Sequence, residues 1–163
     1  MKFRIVIAAA IAAGVVLGTS GCNLIQPQAT TKSYDASDGV SLAVGKVNLQ
    51  NLIAISDDGE LASLMLTGVN TTGKAQTLTI NYVAAGVAHT VTQLIPSSDL
   101  RGTTWGGKGD AQIILEQIAT QPGSMMEIGF AVDGAQATTL VPVLSTEQPE
   151  YNGLGPVATV TAQ

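Results

Sequence analysis

The sequence predicts an all-β domain built as an antiparallel β-sandwich of seven to eight short strands. Three observations lead there. Apolar and polar residues alternate with a period of two, β-branched residues fill the apolar positions, and turn chemistry recurs between the runs at near-regular spacing. No stretch of the folded part keeps a 3.6-residue period over three helical turns, and no internal repeat is present.

The runs follow one another in order. Val40, Leu42 and Val44 share one face, with Ser41 and Ala43 opposite. Val47, Leu49, Ile53 and Ile55 continue on one parity and stop at "SDDG", residues 56–59. Ala62, Leu64 and Leu66 face together, and "NTTGK", residues 70–74, reads as a hairpin turn. Leu78, Ile80 and Tyr82 alternate with Thr77, Thr79 and Asn81, the cleanest half-buried strand of the chain. Val87 and Val91 follow across "AAG". "AQIIL" at 111–115, "MEIGFAV" at 126–132 and "TTLVPVL" at 138–144 complete the set, with Asp133-Gly134 turning the chain between the last two. This is the architecture of an immunoglobulin-like sandwich. The disulfide of a true immunoglobulin domain is missing, and the lone Trp105 falls in a glycine loop outside the predicted strands.

The N-terminus carries a different signal. Lys2 and Arg4 form a short basic region, Ile5 to Gly18 is charge-free and apolar, and small residues precede Cys22. That is the pattern of a secretory signal peptide over residues 1–21, too short for a comfortable spanning helix. Residues 22–37 then read as a flexible tether, 38–147 as the β-domain, and 148–163, with Pro149, Asn152-Gly153 and Pro156, as a flexible C-terminal tail.

Without residues 1–21 the chain has 142 residues, enough for one domain with a proper core. Five Lys/Arg then stand against twelve Asp/Glu, a formal charge of −7. An acidic surface argues against nucleic acid, whose phosphates need basic partners, and against a polybasic grip on anionic lipid.

Candidate chemistry is sparse. From Gly102 the chain reads G-x-x-x-x-G-K, but Gly109 stands where a phosphate-binding loop needs Ser or Thr for magnesium, and no βαβ pattern surrounds it. No nucleotide is expected. The plainer reading is a loop in which Gly106, Gly107 and Gly109 allow positive φ, with Trp105 either covering the core or exposed as a partner contact. The single histidine, His89, has no G-x-S-x-G nucleophile elbow to serve. Asp57, Asp58, Glu60, Asp99, Asp110, Glu116, Glu127 and Asp133 sit mostly in turns, where carboxylates are ordinary solvated groups rather than a paired acid and base. "DASDG" and "SDDGE" miss the calcium-loop spacing and read as turns. No enzyme, metal site or cofactor is expected.

Two resemblances extend this reading. "GTSGC", residues 18–22, resembles the lipobox of bacterial lipoproteins, with Thr19 where that motif usually has Leu. It implies cleavage before Cys22, diacylglycerol on the Cys22 sulfur, and a lipid anchor on the extracytoplasmic face of the plasma membrane. Together with "YDASDGV", "VGKVNLQNLIAISDDGELASLMLTGVNTTGKAQTLTI" and "TTLVPVL", the chain resembles small actinobacterial lipoproteins grouped with copper chaperones of the PCu(A)C type. That resemblance implies a cupredoxin-like or immunoglobulin-like sandwich. The family's His-x-Met copper pair does not occur, so Met65, Met125 and Met126 are the thioethers to place, Met126 by parity in the core and Met125 outward. The expected function is that of a non-enzymatic binding or accessory module for another envelope component, a protein; a copper carrier is the alternative.

Overall fold

The computed structural model describes residues 3, 7, 35, 37–98 and 101–157. The chain divides into two units, 1–34 and 35–163. In the first unit only Phe3 and Ile7, both exposed, are described. The signal peptide, Cys22 and most of the tether therefore lie outside the described residues.

Among its described residues the second unit is all-β, with nine strands and a short 3-10 helix, Pro149–Tyr151. The strands are β1 Val40–Val44, β2 Val47–Ile55, β3 Leu61–Asn70, β4 Gln76–Ala84, β5 Val87–Ile95, β6 Thr103–Trp105, β7 Ile113–Glu116, β8 Met125–Val132 and β9 Ala135–Leu144. They form one curled sheet in the order β5-β4-β8-β9-β2-β3-β6, with β1 added on β2 and β7 on β3. Every pairing is antiparallel except one. β9 runs along β8 from Ala135 to Pro142, then places Val143 and Leu144 parallel to Ala54 and Ile55 of β2. That single switch joins the two halves of the sheet, and the core is enclosed between them. Leu49, Leu64 and Leu66 from one half meet Leu78, Ile80 and Phe130 from the other.

The alternation read in β4 and β8 is the one observed. Leu78, Ile80 and Tyr82, and Met126, Ile128, Phe130 and Val132, are buried. The hairpins at "AAG" and "DG" are also present. Ala85 and Gly86, then Asp133 and Gly134, take positive φ at both central positions, the twist that tight two-residue hairpins require.

Four expectations need correction. The first concerns β2. Its register shifts between Gln50 and Ile53, and Asn51 sits at φ 54°. This bulge adds one residue and reverses parity. Leu52 and Ala54 therefore join Val47 and Leu49 in the main core, while Ile53 and Ile55 turn to the opposite face.

The second follows from the first. Ile53 and Ile55 are buried because Tyr151 and Leu154 cover them, with Met65 and Leu144 alongside. The packed body thus runs past residue 147. Tyr151 donates a 2.6 Å hydrogen bond to Asp38 Oδ2, Gln112 Nε2 donates to Gly155 O, and Val157 N–H donates to Gln112 Oε1. Residues 158–163 of the predicted tail lie outside the described residues.

The third concerns "NTTGK". It turns the chain, but β3 and β4 do not pair, so it is a crossover between the halves rather than a hairpin. Asn70 holds it. Its buried amide donates to the carbonyls of Lys74 and Ile95 at 2.9 and 3.0 Å, and its oxygen accepts from the Thr72 N–H and hydroxyl.

The fourth concerns where Trp105 lies. It is not in a loop outside the strands but ends strand β6 opposite Leu66. It covers the core, the plainer of the two readings, rather than standing exposed. Gly106 follows it at φ 76°, and a Cβ there would meet Met65 Cα at 2.9 Å. Only glycine meets both conditions. The segment after the loop is strand β7, so no helix opens where a phosphate loop would need one.

Tyr151 carries a pH prediction. Burial, then the hydrogen bond and charge of Asp38, push its phenol up to about 12 from an ordinary 10.0. A folded-state value above the unfolded one stabilises fully below pH 10, and that stabilisation is lost as pH rises from 10 toward 12. Urea titrations of Tyr151→Phe at neutral pH are expected to show a loss of about 1.5 kcal/mol, the scale of a hydrogen bond to a charged group. Above pH 10 the gap to the parent should narrow.

Candidate interaction surface

The half of the sheet formed by β5, β4, β8 and β9 has one face in the core and one in solvent. Register decides which residues reach solvent. Asn81 stands between Thr90 of β5 and Gly129 of β8, and Gly129 pairs with Thr138 of β9. Along that parity the outer face carries Thr79, Asn81 and Val83, then Thr90, Thr92 and Leu94, then Met125 and Glu127, then Thr138 and Leu140. Glu127 is the single ionisable group among these. For a chain with a formal charge of −5 this is a neutral, threonine-rich field.

Four large apolar side chains stand exposed on it: Val83 at 70 %, Leu94 at 56 %, Leu140 at 52 % and Met125 at 49 %. Val83 and Met125 line an open trough of about 630 Å³. Gly129 forms part of its lining between Asn81 and Thr138, because a residue without a side chain leaves the centre of the face empty. A Cβ at Gly129 would meet Thr138 Oγ1 at 3.6 Å and the Asn81 carbonyl at 3.7 Å, which is ordinary contact. The trough is therefore open by composition and not by steric necessity.

His89 lies at the rim, half-buried. It stacks on Tyr82 with centroids 5.0 Å apart and planes 7° from parallel. Tyr82 is itself anchored, its hydroxyl exchanging 2.9 Å hydrogen bonds with the backbone of Glu116 across the core. The His89 Nε2 is buried without a hydrogen-bond partner.

The three methionines do not gather around this imidazole. Met65 packs into the second cluster with Ile53 and Ile55. Met126 is core and Met125 outward, as parity predicts. His89 pairs across from the inward-facing Tyr82 and stacks on it, while His89, Met125 and Met126 all contribute to the lining of the trough.

The carboxylates are used locally. Asp58 Oδ1 accepts the N–H groups of Glu60 and Leu61, which hold its carboxyl below the usual range. Asp57 accepts the Thr146 N–H and hydroxyl. Asp58 is the turn residue that "SDDG" predicts, whereas Asp57 ties the turn to a segment 89 positions away. Among the described residues no three His, Cys, Asp or Glu side chains are placed to hold a metal ion, and no helix is long and apolar enough to cross a membrane. Compared with known proteins, the chain matches no family and shows no significant sequence similarity to a curated protein.

Proposed function

We propose that this protein is a membrane-anchored extracytoplasmic lipoprotein whose β-domain, of the immunoglobulin-like or cupredoxin-like sandwich kind, is a non-enzymatic binding module for an envelope protein. The anchor is the diacylated Cys22 of the lipobox-like "GTSGC". The observation that carries the binding role is the neutral outer face, where Val83 and Met125 line an open trough and Leu94 and Leu140 stand exposed on the same face. Desolvating a face with one carboxylate costs little, and apolar side chains around a depression give a partner its anchor points. A copper carrier would have to draw on His89 and Met126, which share the inner parity with strand β4 between them.

The test places a photo-crosslinking amino acid at Leu140 and, as control, at Lys108, in the full chain in native envelopes. A discrete protein adduct at Leu140 and none at Lys108 is the expected result. Gly129→Val fills the trough with a residue that suits a strand. It is expected to cut the adduct about tenfold, equivalent to ~1.4 kcal/mol of binding, with unchanged thermal stability. Equal labelling from both positions, or an adduct indifferent to Gly129→Val, would refute the assignment. Mass analysis of the mature chain checks the anchor: it should begin at Cys22 and carry the diacylglycerol.

A further inference from the structure

The two ends of the sheet are built differently. At one end β6 and β7, of three and four residues, leave only a short edge. At the other end β5 runs nine residues, "VAHTVTQLI", and among the described residues pairs with β4 alone. Its pairing with β4 is continuous from Gln76↔Ile95 to Ala84↔Val87, with no bulge. It holds no Pro, Lys or other charged residue. Long edges are normally blunted by such devices, because an unguarded one is a template for another strand.

The order of residues in β5 identifies that strand. Turned end for end about Val91, the segment meets itself in kind: Val87 opposite Ile95, Ala88 opposite Leu94, His89 opposite Gln93, Thr90 opposite Thr92, and Val91 opposite itself. Apolar faces apolar and polar faces polar at every position, and no charge meets its like. We propose that two copies of this chain associate through antiparallel β5–β5 pairing about a two-fold axis at Val91, continuing the sheet from one protomer into its partner. A two-fold interface requires this self-complementarity, and cross-strand pairs of matched kind are what stabilise such a join.

The proposal concerns the strand edge, not the trough, and stands independently of the envelope partner.

Cysteine crosslinking of the purified full chain tests the register. Directly opposed residues of an antiparallel pair lie about 4.5–5.5 Å apart at Cα, within disulfide reach. Val91→Cys is expected to give covalent dimer on mild copper–phenanthroline oxidation. Exposed Thr90→Cys should crosslink to Thr92→Cys supplied on a second chain, and poorly to itself, since that diagonal exceeds disulfide range. Yields about tenfold above those of Glu127→Cys and of the unsubstituted chain, which still carries Cys22, are the expected result. Adding Thr92→Lys to Val91→Cys should return the yield to background. Val91→Cys dimer no greater than the Glu127→Cys background would overturn the proposal. So would Thr90→Cys pairing with itself in preference to Thr92→Cys, a result that belongs to another register. Because Thr90 and Thr92 are exposed, a folding defect in Val91→Cys leaves the second pair decisive.

Discussion

Trp105→Ala is expected to lower the unfolding free energy by about 4 kcal/mol, the cost of emptying a large aromatic site from a closed core. Trp105 is 4 % exposed, stands opposite Leu66, and has its ring within 3.3 Å of where a Cβ on Gly68 would lie, beside Ile95. Backbone on one side and a crossover on the other leave little room for the site to collapse. The loss should appear as a lower urea midpoint with an unchanged slope, followed by circular dichroism because the substitution removes the fluorophore. Trp105→Phe should recover more than half of it. A loss below about 1 kcal/mol would mean that the ring is not part of the core.

Deleting residues 148–163 is expected to cost a similar amount, about 4 kcal/mol. Two large apolar side chains return to water at roughly 1.5–3 kcal/mol each, and the Tyr151–Asp38 hydrogen bond is lost. The chain left behind exposes Ile53 and Ile55 as neighbours on one sheet face, so dye binding to apolar surface should rise with the fall in midpoint. Deleting 158–163 alone is the comparison, and the difference between the two isolates residues 148–157. Equal midpoints for both deletions would show that the segment does not cover the second cluster.

These two effects fall where local pattern and final structure diverge. Strand β4 was legible because each of its alternate residues meets the same core from end to end, so period two survives unbroken. The same holds for β8, and it placed Met126 inward and Met125 outward correctly. Strand β2 was not legible past Gln50. Asn51 at φ 54° inserts a residue, and Ile53 and Ile55 look equally apolar whichever face they serve. Asn at a left-handed position was the one available hint. "NTTGK" has the composition of a hairpin, yet composition reports only that the chain turns, not which strand it then joins. The trough was invisible for a related reason. It depends on Gly129 lying between Asn81 and Thr138, residues 48 and 9 positions away, brought together by register alone.

The amino-acid sequence by itself determined the strand character, most of the turns and the inward residues of each unbroken strand, because these follow from interactions within a few residues. It also holds the lipobox-like "GTSGC" and the self-matching order of "VAHTVTQLI", which are linear patterns. Only the tertiary structure decided that Trp105 is core, that β9 changes neighbours, that Tyr151 and Leu154 close a second cluster, and that β5 is left at the edge. Each of those depends on which distant segments meet, and a strand's pairing partners are selected by the burial of the whole sheet rather than by the strand's own residues.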